Sequence, residues 1–336
     1  MNDSPTIGQI AGSVSHRVWV SASIVSIALL AIVLSQVEFG LIREALSEVV
    51  WPLFGVALML LMSEGFATAK RMQVFTPGPP SYAACLRISA WFVIYLIVLP
   101  ARLGEVVAVV LLRVYAAQAS GPALASLLTQ RLFDLLVLIA VFLLAAMLVS
   151  GLPLGFIAVA AALILFAVLG ALVVWLEDLL ARAALVVGIL RAKWRWAVLK
   201  KIQRLLIQAR SWRRHHGTAL VMRRALWITF AKWFANRGGL STMFIALGFP
   251  VDVLQAVLLA AAFNFLAVVP LQSVGGIGVS EVGLAGLLMI FGASVEYAAS
   301  MTIVVRVILL STPVLYWVLV MAVTSGADFS GVRRSG

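Results

Sequence analysis

Ionisable residues set within long apolar stretches are the chemically informative feature of this sequence. Glu105 and Arg131 lie 26 residues apart, and Glu281 and Arg306 lie 25 apart. Each glutamate follows a break: Pro100-Ala101-Arg102-Leu103-Gly104-Glu105 in one stretch, and Pro270, then Gly275-Gly276-Ile277-Gly278-Val279-Ser280-Glu281, in the other. A charged side chain at membrane depth costs roughly 2.5 kcal/mol or more, so such residues pair, face a watery cavity, or do both. Arg131 and Arg306 offer planar forks of donors that suit the oxygens of a lipid phosphate. Arg102 adds a further cation beside the first break. Glu105 and Glu281 are spaced to orient those arginines or to meet a cationic headgroup. Asp134, three residues after Arg131, shares its helix face and can form an ion pair or release Arg131 to a ligand. Lys232, Asn236 and Arg237 project from one helix as a cationic wall, with Asn264 as a further polar group within a span. The alternative is static: each Glu/Arg set clamps a broken helix in place. Glu64 reads as a side chain snorkelling to the surface near Lys70.

The glycines have their own chemistry. A half-helix starting near Gly104, or near Gly278 to Ser280, points free backbone N–H groups and its positive dipole end into the membrane interior, where an anion is favoured. Gly275, Gly276 and Gly278 let the backbone approach a phosphate diester closely. Their structural alternative is close helix packing in lipid.

The elements that position these groups must be membrane-embedded helices. Of 336 residues 63% are hydrophobic and 11% charged, with a mean hydropathy of +1.11, which excludes a water-soluble enzyme and a nucleic-acid module despite the net charge of +12. Cys85 is the single cysteine, and the three histidines have no thiol partners, so neither a disulfide, a structural metal nor a cofactor is expected. Apolar runs cover 18–39, 49–69, 82–99, 103–118, 121–149, 154–176, 225–247, 251–269, 279–292 and 295–324. The expected fold is all-α and polytopic, with about eight to ten embedded helices. Residues 103–118 and 279–292 are short enough either to cross or to re-enter.

Twelve of the 25 Lys and Arg fall between Arg182 and Arg224. By the positive-inside rule this segment, about 177–224, is cytoplasmic. If all ten runs cross, both termini and the Lys70-Arg71 loop are also inside, and the loop with Glu38, Glu44 and Glu48 is outside. The first run lacks a small-residue cleavage site and reads as a retained helix. Within the basic segment, residues 194–212 place Leu199, Ile202, Leu205, Leu206, Ala209 and Trp212 opposite Lys200, Lys201, Arg204 and Gln208. Such a helix is expected to lie on anionic lipid, or else to serve as a solvated topology determinant.

The two Pro/Glu/Arg stretches also form an internal repeat, about 82–149 and 251–324: an apolar helix, a break, a short helix, then a long helix carrying arginine. In the ten-crossing map they run in opposite directions. Inverted repeats with broken helices are a recurring transporter design, because the halves can exchange inward-open and outward-open states.

The residues also carry a family likeness. The run PARLGEVVAVVLLRVYAAQASGPALASLLTQRLFDLL resembles the first signature of the lysylphosphatidylglycerol synthase transmembrane family, a flippase-like domain with a Pro-Gly-Arg-x-Gly-Glu run followed by Glu-Arg-x-x-Asp. VVPLQSVGGIGVSEVGLAGLLMIFG resembles its second signature, Pro-Gly-Gly-x-Gly followed by Glu. Ala101, Gln130 and Val274 depart from that pattern, standing where Gly, an acid and Pro are usual. The resemblance implies one flippase-like domain over 1–336 that moves a polar lipid between leaflets. It further implies a stand-alone member without the aminoacyl-transferase domain, whose lipid is of the phospholipid, glycolipid or hopanoid class.

The sequence therefore points to translocation of a polar or anionic lipid across the bacterial inner membrane. No Walker A motif is present and no catalytic constellation is found, so neither an intrinsic ATPase nor an enzyme is expected. Two alternatives stand beside it: a small-solute secondary transporter, and a non-catalytic scaffold that holds a lipid-modifying or glycosyl-transferring enzyme at the membrane.

Overall fold

A computed structural model describes residues 30–76, 81–99, 103–116, 119–148, 156–194, 197–266 and 278–325. The regular structure of these residues is helical, with no strand among them. Residues 30–34 are helical. Then come α1 (Phe39–Ser47), α2 (Trp51–Phe75), α3 (Tyr82–Val98), α4 (Leu103–Ala116), α5 (Ser120–Leu148), α6 (Phe156–Val174), α7 (Leu176–Trp194), α8 (Ala197–His216), α9 (Ala219–Ala246), α10 (Val253–Leu266), α11 (Val279–Ile290) and α12 (Val295–Val323).

Among the described residues, three helices are long and apolar enough to cross a membrane singly: Trp51–Phe75, Ser120–Ala145 and Val295–Val323. A fourth span arises if Leu163–Val174 and Leu176–Ala192, bent by 72°, form one broken crossing. Tyr82–Val98, Val253–Asn264 and Val279–Ile290 are shorter apolar helices. The chain is an all-α polytopic membrane protein. On α6, Leu163, Ile164, Leu165, Phe166 and Val168 are exposed, which an apolar solvent tolerates and water does not.

Contacts divide the chain into two compact units. The first comprises Met1–Gly65, Ala90–Ala108 and Ala235–Val323. Its core gathers Ala57, Leu61, Leu240, Met243, Phe244, Leu259, Leu284 and Met301. Small residues permit the close crossings: a Cβ on Gly239 would lie 3.0 Å from Ala57 O, and one on Gly104 only 2.8 Å from the Leu96 backbone. In α12, Pro313 removes a backbone donor. Nearby, the hydroxyls of Ser311 and Thr312 donate to Val307 O and Ile308 O, one turn back.

The second unit comprises Phe66–Ser89, Val109–Phe234 and Thr324–Gly336. Here α8 packs on α7 and α5, and α5 packs on α6. Phe75, Ala125, Phe133, Leu176, Leu180, Ala209, Trp212 and Ala225 form its core cluster. This alters the sequence reading of residues 194–212. Ala209 is fully buried and Trp212 only 3% exposed, against Phe75, so that end of the apolar face of α8 is covered by protein, while Ile202 on the same face is exposed. The exposed apolar side chains are Leu179, Leu185, Val186 and Ile189 on α7, and Ile202 and Ile207 on α8. Arg213 donates to Val173 O, and burial lowers its pKa while Glu177 opposes the shift.

Two presumed loops are also helical. Residues 39–47 form α1, with Arg43 and Glu44 exposed and Ala45 buried. Lys70 and Arg71 lie inside α2, which continues to Phe75 because Ala69, Met72 and Phe75 carry its buried face onward.

Candidate functional site

The second unit contains a buried cluster centred on Asp134. Three helices supply it: α2 gives Arg71, α5 gives Gln130, Arg131 and Asp134, and α9 gives Thr229, Lys232 and Trp233. Arg71 binds Asp134 in fork geometry, Nη1 to Oδ1 at 2.6 Å and Nη2 to Oδ2 at 3.1 Å. Its Nε donates to Gln130 Oε1 at 3.0 Å, and Nη1 also reaches Thr229 Oγ1 at 3.2 Å. Lys232 Nζ and Trp233 Nε1 both donate to Asp134 Oδ1, at 3.2 and 2.8 Å. The Lys232 ammonium also sits 4.2 Å from the Trp233 ring centroid, a cation–π distance. Arg131 Nη1 stands 3.6 Å from Asp134 Oδ2.

Exposure separates these cations. The side chains of Arg71 and Lys232 are 4% and 6% exposed, whereas that of Arg131 is 34% exposed. Arg131 therefore forms the accessible edge of the cluster. Gln130 is held from both sides, since its amide nitrogen donates to Ser126 Oγ at 3.1 Å. A neutral amide thus meets Arg71 where a carboxylate would have added a second negative charge. Three cationic side chains converge on one carboxylate.

The first unit contains a second ion pair. Arg306 Nε lies 2.8 Å from Glu281 Oε1, and Glu281 is 1% exposed. Glu281 Oε2 accepts from Gly278 N at 2.6 Å and from Ser280 Oγ at 3.0 Å. Gly278 has φ of +93°, which a side chain would strain, and it is the N-cap of α11. The break expected to present bare N–H groups to a ligand therefore has one of them occupied. Glu281 supplies the anion from three residues along the same helix, a local capping arrangement.

A third polar set, also in the first unit, corrects the reading of Glu64. Asn236 Nδ2 donates to Glu64 Oε2 at 2.7 Å, so this carboxylate is held within the bundle and does not snorkel. Arg237 Nη1 and Asn264 Nδ2 both donate to Asn236 Oδ1, at 2.8 and 3.3 Å, and Asn264 also bonds Ala260 O at 2.9 Å. Lys232 and Arg237 do not form a wall: each is about 5% exposed or less and serves a different set. Arg87 is another structural group, donating to the backbone and hydroxyl of Thr324.

Of the residues singled out by sequence, Asp134, Arg131 and Lys232 come together in one cluster, Gly278, Ser280, Glu281 and Arg306 in another, and Arg237 with Asn264 in the third. Arg102, Gly275 and Gly276 lie outside the described residues, as does the side chain of Glu105. Arg71, Thr229 and Trp233 were not expected. The signal for Arg71 was the apolar spacing of Ala69, Met72 and Phe75, which extends the helix through it. Among the described residues, no group of three or more His, Cys, Asp or Glu could hold a metal ion.

Residues 18–316 match the family described as the lysylphosphatidylglycerol synthase TM region. The chain belongs to that family. No match to it was found among curated proteins or among solved structures. The lysylphosphatidylglycerol synthase transmembrane family is membrane-associated and linked to lipid handling. In this member, Gln130 occupies the site of the acid in the Glu-Arg-x-x-Asp signature, and its position against Arg71 Nε makes that departure electrostatic as well as formal.

Proposed function

We propose that this protein moves a lipid with an anionic headgroup between the leaflets of a bacterial inner membrane, without hydrolysing ATP and without chemical change to the lipid. The supporting observation is the convergence of Arg71, Arg131 and Lys232 on Asp134 within a membrane-embedded unit. A phosphate offers the same paired oxygens as the Asp134 carboxylate and suits the same guanidinium fork. Arg131 receives the headgroup first, being the exposed member. Arg71 and Lys232 bind it as it displaces Asp134. Family membership supports a lipid as the substrate class. Recurrence of the helix pattern supports a two-repeat transport device: α3, α4 and α5 have 17, 14 and 29 residues, and α10, α11 and α12 have 14, 12 and 29.

The test is reconstitution into liposomes carrying fluorescent phosphatidylglycerol or phosphatidylcholine, with dithionite added outside. Translocation bleaches more than the outer-leaflet share. The wild type is expected to expose inner-leaflet phosphatidylglycerol faster than phosphatidylcholine without ATP, and Arg131→Ala to lose most of that rate. Protein-free rates for both lipids, with correctly folded protein, would defeat the proposal.

The scaffold reading retains one favourable observation: Lys200, Lys201, Arg204 and Arg210 are exposed along α8. Because Ala209 and Trp212 anchor that helix in the second unit, deleting it would disturb the fold. Charge reversal at Lys200, Lys201 and Arg204 is the cleaner test, with loss of a co-purifying enzyme and unchanged lipid translocation as the scaffold result.

A further inference from the structure

The first unit holds a cavity of about 240 Å³ whose ten lining residues are all apolar. Its roof comes from α1, through Ile42 and Leu46, and from Val49 beyond it. Trp51 and Phe54 of α2, Leu247 after α9, and Ile303, Val304, Val307 and Ile308 of α12 complete it. The floor is buried, with Leu247 at 2% and Val304 at 7% exposure, while Leu46, Trp51 and Val307 at its rim are 46%, 64% and 60% exposed.

Two contacts fix the wall above this space. The start of α1 is pinned to α12, since Glu38 N donates to Ser300 Oγ at 3.0 Å and that hydroxyl lies 3.3 Å from Glu38 O. The far side is pinned by Val50 N donating to Ala246 O at 3.0 Å. The roof is therefore held at both ends over an open apolar pocket. Water is a poor occupant, because the lining offers it no polar partners.

The rim identifies the occupant. Val307 begins the exposed stripe of α12, which continues through Ser311, Val314, Leu315, Val318, Leu319, Ala322 and Val323 at helical spacing. On a helix long and apolar enough to cross a membrane, that stripe faces hydrocarbon. The cavity thus opens onto the lipid-facing surface of α12. Above it, α1 turns Arg43, Glu44 and Glu48 outward, as a helix at the membrane–water boundary does, and Trp51 stands where interfacial tryptophans collect. We infer that this cavity is an acyl-chain slot that draws one tail of a membrane lipid out of the bilayer, beneath α1. The inference stands on this cavity alone and does not require transport.

Native mass spectrometry of the full-length protein tests it, extracted from membranes and stripped with increasing detergent. The variants Val304→Phe and Leu46→Trp fill the slot from its floor and from its roof. The wild type is expected to retain one lipid per chain at a detergent concentration where both variants have lost it. In lipid-free detergent both should melt no lower than the wild type, since they fill existing space. Equal lipid retention by the wild type and both variants would overturn the inference. So would melting of both variants below the wild type, which would show that no space is available. Arg131→Ala separates the two sources of the tail. A retained lipid whose headgroup class changes in that variant is the translocated species; one that is unchanged is a resident lipid of the same slot. Absence of flipping by the wild type with slot lipid intact would count against the transport proposal only.

Discussion

Arg71 and Asp134 share two hydrogen bonds across 63 residues of sequence, at 2.6 and 3.1 Å, and both are at least 95% buried. A buried ion pair of this kind has already lost its hydration, so removing one partner leaves a charge uncompensated, at about 3–5 kcal/mol. Asp134→Ala should therefore destabilise the protein by about that amount, as read from thermal melts in detergent. Asp134→Asn keeps the shape and one acceptor and should cost less. An unchanged melting temperature in the alanine variant would show that the pair contributes little.

Arg71→Lys distinguishes charge from geometry. Lysine keeps the charge but cannot present two parallel donors to Asp134 and a third to Gln130. Under the transport reading, phosphatidylglycerol translocation should fall at least tenfold while the protein remains monodisperse. Wild-type rates would show that a cation alone suffices there.

Gln130→Glu should place a second carboxylate against Arg71 and reduce the cationic excess. Retention and translocation of anionic lipid should both decline relative to phosphatidylcholine, with the fold intact. An unaltered preference would remove this cluster from headgroup selection.

Trp212→Ala addresses how α8 is held. Its ring is 3% exposed and packs on Phe75, so truncation should cost about 3–5 kcal/mol. Ile207→Ala, at a site 54% exposed, should leave the melting temperature nearly unchanged. Equal effects would mean that α8 is held by lipid and not by the protein.

Single-cysteine labelling tests the inverted repeat. Cys85 is fully buried and should react slowly with a membrane-impermeant maleimide, but it is replaced for clarity. Residues introduced next to Pro100 and next to Pro270 should label from opposite sides of sealed vesicles. Labelling from one side would refute the inversion.

Particular residues show what the sequence could reveal. The apolar runs announced most of the helices, though not α1 or α7, and the Glu281/Arg306 spacing announced a contact that the structure contains. Asp134 and Arg131 were legible because they lie one turn apart. Arg71 was not, because two adjacent cations after an apolar run look like the end of a span; only a tertiary partner 63 residues away justifies burying one of them. Hydropathy alone could not decide what covers the apolar face of α8, since Trp212 suits lipid and Phe75 equally. The acyl slot was invisible for a related reason: it depends on where α1 is pinned, and Ser300 gives no local sign of bonding to Glu38.

The contact between Glu281 and Gly278 bears on how tightly any anion can be held at the start of α11. A carboxylate tethered three residues from the N–H it occupies competes at an effective concentration in the millimolar range or above. An incoming anion must outcompete this resident group, which returns as soon as the visitor leaves. Under the transport reading, the arrangement favours short residence over tight capture, as rapid turnover requires.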